Sequence, residues 1–174
     1  MRLRLPITEP AISKLKAGDA VFLSGSIYTA RDQAHKRLVE AIKRKKKLPV
    51  DLAKAVIYYC GPTQAAKGKI IGSCGPTTSS RMDEFTPALL KAGLGAMIGK
   101  GRRSREVVEA IKQKKAVYFL AYAGCGALIS KYVKSKKLIA YPDLGPEAIY
   151  RLEVEDFPAI VGIDAKGRNI YGKS

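Results

Sequence analysis

The segment Gly75-Pro-Thr-Thr-Ser-Ser-Arg-Met-Asp83 places four consecutive hydroxyl residues, Thr77 and Thr78 first, directly before an arginine. Hydroxyls, backbone N–H groups and the guanidinium of Arg81 together can bind a carboxylate or a phosphate, because arginine offers two parallel donors. The segment follows an apolar run and precedes a predicted helix, which puts it at a strand-to-helix turn. A solvated arginine in a Ser/Thr-rich turn is the alternative, and the position of the turn favours a functional role.

A second segment, Thr29-Ala-Arg-Asp-Gln-Ala-His-Lys-Arg37, holds the only histidine of the chain. Arg31 lies at the start of a predicted helix and His35 lies one turn further on, so the two can share a face. A single histidine on a helix is more often a structural group than a catalyst. Both roles therefore stay open for His35.

The third segment, Ile98-Gly-Lys-Gly-Arg-Arg103, places Lys100 between two glycines. Their bare backbone permits the close approach of a ligand. The segment is not a Walker A motif, since Lys100 is followed by glycine instead of Ser or Thr. Gly124-Cys-Gly126 lacks the third glycine of a dinucleotide fingerprint. Nucleotide binding through either motif is therefore disfavoured.

Short apolar runs rich in Val, Ile, Tyr and Phe alternate with helical patterns along the chain. Near-continuous apolar runs of this length are typical of strands that are buried on both faces. The predicted strands are Ala20–Leu23, Ala55–Tyr59, Lys69–Gly72, Ala96–Ile98, Ala116–Leu120, Leu138–Tyr141 and Ala159–Ile163.

Apolar spacing predicts helices between these strands. They are Asp32–Lys47, Pro87–Ala92, Arg105–Lys114 with Ser104 as its cap, and the weaker Ala127–Val133 and Pro146–Tyr150. The pattern predicts an α/β fold with a mixed sheet flanked by helices, in one domain over residues 1–174. Residues 165–174 are expected to form a turn and a polar tail.

Cys60-Gly-Pro-Thr63 and Cys74-Gly-Pro-Thr77 each follow an apolar run, which predicts two similar turns at one end of the sheet. Ligands of α/β proteins usually bind at that end. We expect Arg31, Arg81 and Lys100 to meet there, and three cations suit a dicarboxylate better than a monoanion. Two similar turns without chemistry are the alternative.

The chain has 174 residues, 47% of them hydrophobic, with 32 Lys+Arg against 15 Asp+Glu and a formal charge of +17. This composition excludes a disordered or collagen-like chain. The charge indicates a polyanionic partner, an anionic substrate or a lysine-rich surface. A basic nucleic-acid-binding module, centred on the run Lys43–Lys47, is a remote alternative because no RNA- or DNA-binding motif accompanies it.

Neither a secretory signal nor a run of about 20 apolar residues is present, so we expect a cytoplasmic protein with no membrane partner. Cys60, Cys74 and Cys125 form no CxxC pair, which disfavours a disulfide framework. Their spacing does not resemble the ligand run of an iron–sulfur cluster. We expect them to be small buried residues.

Two segments in combination, Thr29–Arg37 and Gly72–Asp83, carry a specific resemblance. The chain resembles the β subunit, or C-terminal domain, of the class I fumarase and L(+)-tartrate dehydratase family of iron–sulfur hydro-lyases. The similarity runs along most of the chain, with further markers at Lys16–Asp19, Leu23–Gly25, Tyr59–Pro62, Ile98–Gly101, Gly145–Val154 and Asp156–Pro158.

The resemblance implies a swivelling β/β/α domain that lies over an active site shared with a cluster-bearing α subunit. That partner carries a [4Fe-4S] cluster whose open iron binds the substrate hydroxyl, and this chain ligates no metal. The implied reaction interconverts fumarate and (S)-malate, a step of the tricarboxylic acid cycle, with L(+)-tartrate dehydration as the alternative. The implied assembly is a heteromer such as a dimer of heterodimers, active only with the α subunit.

By motif, the resemblance assigns the substrate carboxylates to Arg31, Arg81 and Lys100, with Thr78 as a further substrate-binding residue. Thr77 is the candidate base that moves the C3 proton. Because a threonine hydroxyl is a weak base, it would need nearby cations and a dry site.

His35 falls within the family motif, where it supports Arg31, contacts the substrate or serves as the base instead of Thr77. Asp32 orients a cation or caps the helix. Ser80 departs from the family pattern, in which glycine is common.

Overall fold

The computed structural model describes residues 1–172. Its strands belong to one sheet: β1 (Arg2–Arg4), β2 (Ala20–Thr29), β3 (Val56–Tyr58), β4 (Ala96–Gly99), β5 (Val117–Leu120), β6 (Val133–Ala140) and β7 (Ile149–Ile163). Its helices are α1 (Glu9–Lys14), α2 (Asp32–Lys43), α3 (Thr86–Lys91), α4 (Arg105–Lys114) and α5 (Gly126–Ile129). Short 3₁₀ segments cover Ser79–Met82, Ser130–Tyr132 and Pro142–Glu147.

The sheet is mixed and closes on itself. Strands β1 to β5 pair in parallel in chain order, and β7 runs antiparallel to both β5 and β2. The pairings β2–β3–β4–β5–β7–β2 therefore form a ring. Strands β1 and β6 extend it outside, paired to β2 and β7.

Alternating side chains of the strands build two cores, because successive residues of a strand point to opposite faces. Val56 and Tyr58 of β3 belong to the cluster that contains Leu23 and Phe157. Ile57 and Tyr59 belong to a second cluster, which receives the apolar faces of α2, α3 and α4. Because β2, β3 and β4 are parallel neighbours, their carboxyl ends lie at one edge of the sheet, beside the start of α2.

Most of the predicted elements are confirmed, with altered bounds. The predicted helix Asp32–Lys47 ends at Lys43, and Ser104 caps α4 by accepting a hydrogen bond from the Val107 amide at 3.3 Å. The predicted strand Ala159–Ile163 lies within the longer β7. The predicted strand Leu138–Tyr141 overlaps the end of the longer β6, which stops at Ala140. The mixed sheet with flanking helices is as expected.

Two predicted elements are wrong, and a third, the helix Ala127–Val133, is confirmed only over its first part. Lys69–Gly72 is a loop, because Lys69 and Ile70 are exposed and the run has too few apolar residues to bury two faces. In the predicted helix Ala127–Val133, α5 ends at Ile129, a 3₁₀ turn follows and Val133 begins β6. The predicted helix Pro146–Tyr150 holds the end of the 3₁₀ segment Pro142–Glu147 and the start of β7.

The sequence analysis also missed β1 and α1, which are short. Turns lie at residues 165–166 and 170–171, with an isolated antiparallel bridge between Asn169 and Ile163. The last two residues of the predicted polar tail lie outside the described residues. In the described part of the chain, no helix has the length and apolar content needed to cross a membrane.

Candidate functional site

The turns that follow β2, β3 and β4 meet at one edge of the sheet, since these strands are parallel neighbours. The Thr77 amide donates to Tyr59 O at 2.7 Å, which attaches the Ser/Thr-rich segment to the end of β3. Thr78 forms a parallel bridge with Lys100, directly after β4. The second Cys-Gly-Pro-Thr turn therefore lies beside the first, although it follows a loop and not the predicted strand.

Asp32 brings the two predicted substrate-binding arginines together. Its Oδ1 accepts a hydrogen bond from Arg81 Nε at 2.9 Å, and its Oδ2 lies 3.8 Å from Arg31 Nε. Arg81 has a half-exposed side chain (51%), whereas those of Arg31 and Asp32 are about a quarter exposed (23%). Asp32 thus orients cations, and Arg31 itself occupies the N-cap position of α2.

Glu147 is a second carboxylate at this edge, and the sequence analysis missed it. Its Oε1 lies 3.6 Å from Arg31 Nη2, and its Oε2 accepts from the Gln33 amide at 3.1 Å in the first turn of α2. Arg37 donates to Asp143 Oδ1 at 2.9 Å, which ties the 3₁₀ segment that carries Glu147 to α2. Glu147 lies within Gly145–Val154, one of the segments that carry the family resemblance. Membership of that segment is the sequence signal that could have pointed to it.

Lys100 is fixed through its backbone. Its N–H donates to Ser79 Oγ at 3.0 Å, and its carbonyl accepts from the Ser79 N–H at 3.0 Å. Within residues 1–172, Lys100 takes part in no ion pair with a carboxylate. Its ammonium group is therefore available for an anionic ligand.

Thr77 and Thr78 differ in exposure: the first is half-buried and the second is exposed. Both lie between the bond to Tyr59 and the bridge to Lys100. Their hydroxyls are thus in the same turn as Arg81.

His35 is fully buried on the inner face of α2. Its Nδ1 lies 2.9 Å from Arg31 O, and its ring packs edge-on against Tyr59 with centroids 5.2 Å apart. Burial lowers the pKa of His35 to about 4, so the ring is neutral near pH 7. The Nε2 atom is buried without a partner among the described residues. The structure places His35 behind Arg31, apart from the exposed side chains of the site.

Cys60 and Cys74 are buried side by side, and Cys125 is half-buried. A hydrogen bond shared with Cys74, together with burial, raises the pKa of the Cys60 thiol. In residues 1–172, no group of three or more His, Cys, Asp or Glu side chains could hold a metal ion. The cysteines therefore do not fit the ligand set of an iron–sulfur cluster.

Three cavities in the described part of the chain, of about 300, 690 and 560 Å³, are lined by other residues than these. The first lies at the opposite end of the strands, against Val56 and Ala96. Arg31, Arg81 and Lys100 line none of these three cavities, and the half-exposed side chain of Arg81 leaves this edge of the sheet open to solvent.

Behind this edge lies a buried polar network that the sequence analysis missed. Arg103 is its centre, with a fully buried side chain that forms an ion pair with Asp83 at 2.6 Å. The segment Ile98–Arg103 is a candidate in the sequence because of Lys100. Nothing in the sequence indicated that Arg103 would be buried.

The family model described as Fumarase C-terminus matches residues 1–174. The chain belongs to this family. The resemblance inferred from Thr29–Arg37 and Gly72–Asp83 is thereby confirmed. Among its relatives, the putative L(+)-tartrate dehydratase subunit beta of Methanocaldococcus jannaschii is 40% identical over 171 residues, which cover 95% of this chain and 88% of that protein.

Two other relatives are named fumarate hydratases. The class I aerobic fumarate hydratase of Escherichia coli strain K12 is 36% identical over 162 residues, and fumarate hydratase 2 of Leishmania major is 37% identical over 166 residues. These alignments cover 92% and 94% of this chain but only 30% and 29% of the relatives. This chain thus corresponds to under a third of each of these fumarate hydratases.

Proposed function

We propose that the chain is the β subunit of a two-chain class I fumarate hydratase, which reversibly hydrates fumarate to (S)-malate. The family and the names of the relatives support a hydro-lyase. The subunit arrangement is suggested by the Methanocaldococcus relative, named as a subunit beta and nearly matched in length. This chain matches under a third of each of the two fumarate hydratases. In the proposed enzyme, a separate chain would supply the part that corresponds to their remaining sequence.

The observation that carries the proposal is the meeting of Arg31, Arg81 and Lys100 at one edge of the sheet. Arg81 donates to Asp32 through its Nε atom. The two Nη atoms of Arg81 therefore stay available for a bidentate bond with a substrate carboxylate. Lys100, which forms no ion pair within residues 1–172, supplies a cation from the neighbouring turn. Cations from separate turns can hold both ends of a C4 dicarboxylate.

Thr77 is the proposed proton-transfer residue, and the Thr78 hydroxyl is a further donor to the substrate. Nearby cations stabilise the alkoxide form of a hydroxyl, and exclusion of water strengthens that effect. His35 is buried and neutral, which supports its role as the residue that holds Arg31 and favours Thr77 over it as the base.

We propose that the partner α subunit closes the open edge and carries the [4Fe-4S] cluster, which acts as a Lewis acid on the substrate hydroxyl when bound. The cysteines of this chain do not offer a ligand set in the described residues. Assembly as a dimer of heterodimers, movement of the chain as one domain and a cytoplasmic location stay predictions.

L(+)-tartrate dehydration is the second candidate, favoured by the 40% identity to the Methanocaldococcus relative. Tartrate differs from malate by one hydroxyl, and a single polar contact can decide such a choice. Parallel assays of the two-chain complex with malate and tartrate separate the two functions.

The site is tested by Arg81→Ala in the complex of this chain with its cluster-bearing partner. Loss of a guanidinium that binds the substrate carboxylate should lower kcat/KM for malate by about 100-fold or more. Arg102→Ala is the matched control, because Arg102 is an exposed arginine that stacks on Tyr171. Its kcat/KM should stay within about twofold of wild type, as for most surface changes.

Near-normal turnover of the Arg81→Ala complex would remove this arginine from the site. A complex that dehydrates tartrate and leaves malate untouched would establish the second candidate instead.

A further inference from the structure

Ser79 and Lys100 form a junction between the two turns that carry the proposed substrate-binding cations. The Lys100 N–H donates to Ser79 Oγ, and the Ser79 N–H donates to Lys100 O, both at 3.0 Å. Ser79 begins the 3₁₀ turn that contains Arg81. The relative position of Arg81 and Lys100 therefore depends on this junction.

Tyr118, on β5, contacts both sides of the junction from beneath. Its hydroxyl lies 2.9 Å from Ser79 Oγ and 3.0 Å from Gly101 O. Because each hydroxyl has one proton, all bonds are satisfied when Lys100 N–H donates to Ser79 Oγ, Ser79 O–H to Tyr118 Oη, and Tyr118 O–H to Gly101 O. One hydroxyl thus links Ser79 to the residue that follows Lys100.

Arg103 holds Tyr118 in place. Its guanidinium lies over the Tyr118 and Tyr59 rings, at 4.9 and 5.2 Å from the centroids, and its Nη2 donates to Thr86 Oγ1 at 2.7 Å. Asp83, two residues after Arg81, pairs with Arg103 and accepts from the Ser104 amide at 2.7 Å. The network therefore joins the Arg81 turn to the start of α4.

The junction is closely packed against β4. Gly99 packs so closely that an added Cβ would collide with Ser79 Oγ and lie 2.8 Å from Tyr59 Cδ2. Ser79 and Tyr118 are both buried. Burial also raises the pKa of Tyr118, so its hydroxyl stays protonated and able to donate.

From these contacts we propose that Tyr118 and Ser79 are positioning residues, which set Lys100 against the Thr77–Arg81 turn so that both cations reach one dicarboxylate. Neither residue touches the substrate. The proposal rests on the proposed function and adds residues to its site.

The test is Tyr118→Phe in the two-chain complex, which removes one hydroxyl and keeps the ring beneath Arg103. Displacing a cation that binds substrate and transition state alike raises KM and leaves kcat nearly unchanged. Loss of one buried hydrogen bond corresponds to an increase of up to about tenfold in KM for malate. A merely structural defect lowers the active fraction, which lowers kcat without moving KM.

Ser79→Ala should show the same rise in KM, and the double variant should be no worse than the more impaired single variant, because both act through one contact. Ser24→Ala is the matched control: Ser24 Oγ accepts from the Asp156 amide at 3.0 Å, between β2 and β7 and away from the site. It removes a comparable hydrogen bond and should leave KM unchanged.

A second measurement does not require turnover. Hydrogen exchange of the Lys100 amide should be faster in Tyr118→Phe than in wild type, and unchanged in Ser24→Ala. An unchanged KM in Tyr118→Phe, unchanged exchange at Lys100, or an equal effect of Ser24→Ala would overturn the positioning role. A wild-type complex inactive on both malate and tartrate would contradict the proposed function alone, since the exchange measurement would still report on the junction.

Discussion

At the scale of single residues, the two arginines of the candidate site are oriented by carboxylates of the same chain. Asp32 and Glu147 contact Arg31 from two directions, and Asp32 also holds Arg81. A guanidinium fixed in this way loses little freedom when a carboxylate binds, which favours binding of the substrate. The arginines thus depend on acidic residues that themselves need not touch the ligand.

His35 gives a prediction at the same scale. Burial lowers its pKa to about 4 in the folded chain, below the value of 6.5 expected for an exposed histidine. Between these values the unfolded chain binds more protons, so stability falls as the pH is lowered from about 6.5 toward 4. Lowering the pH from 7 to 5 should therefore reduce the free energy of unfolding by about 2 kcal/mol through His35.

The measurement is urea unfolding of wild type and His35→Asn at both pH values. Asparagine can keep the bond to Arg31 O and does not titrate. Between pH 7 and pH 5, the free energy of unfolding of the variant should therefore fall by about 2 kcal/mol less than that of wild type. Equal pH dependence in the two proteins would show that His35 is not buried in a neutral form.

At the scale of the elements, three parallel strands place the site, since β2, β3 and β4 end at one edge. The close approach of the Ser79 turn to the end of β4 needs a glycine at position 99. The bulk of a side chain there would push Ser79 and Tyr59 out of their packed positions.

Gly99→Ala should therefore lower the free energy of unfolding by about 1 to 3 kcal/mol, the usual cost of overpacking. Gly75→Ala is the matched control, because the nearest atom to its added Cβ is at 3.4 Å, an ordinary contact distance. Denaturant unfolding compares the two variants. Equal stability of Gly99→Ala and Gly75→Ala would show that the junction is looser than described.

The sequence predicts the strands around the site better than the contacts within it. Strands β3, β4 and β5 are apolar on both faces, which made them recognisable, whereas β7 alternates polar and apolar residues over its first half. The contact between Asp32 and Arg81 spans 49 positions of the chain, and the contact between Gln33 and Glu147 spans 114. Local patterns do not contain such pairings. Arg31 and Arg81 could be placed at one edge only from the rule that turns at one end of an α/β sheet lie together, and from the motif resemblance.

At the scale of the whole molecule, the densest run of positively charged residues, Lys43–Lys47, lies away from the candidate site. Arg31 lies at the N-terminus of α2, whereas the run Lys43–Lys47 lies at and beyond its other end, about 18 Å away for twelve residues. Lys112 and Lys114 likewise end α4, which begins just after Lys100. Cations are favoured at helix C-termini. The lysine-rich surface and the proposed substrate site are therefore separate features.

In the proposed function, Arg31, Arg81 and Lys100 bind one dicarboxylate at an edge that a second chain closes. A crystal structure of the two-chain complex with (S)-malate bound tests this arrangement. It should show all three side chains within hydrogen-bonding distance of the malate carboxylates, Thr77 beside C3, and the partner covering the edge. Malate bound elsewhere, with the three cations facing solvent, would contradict the account.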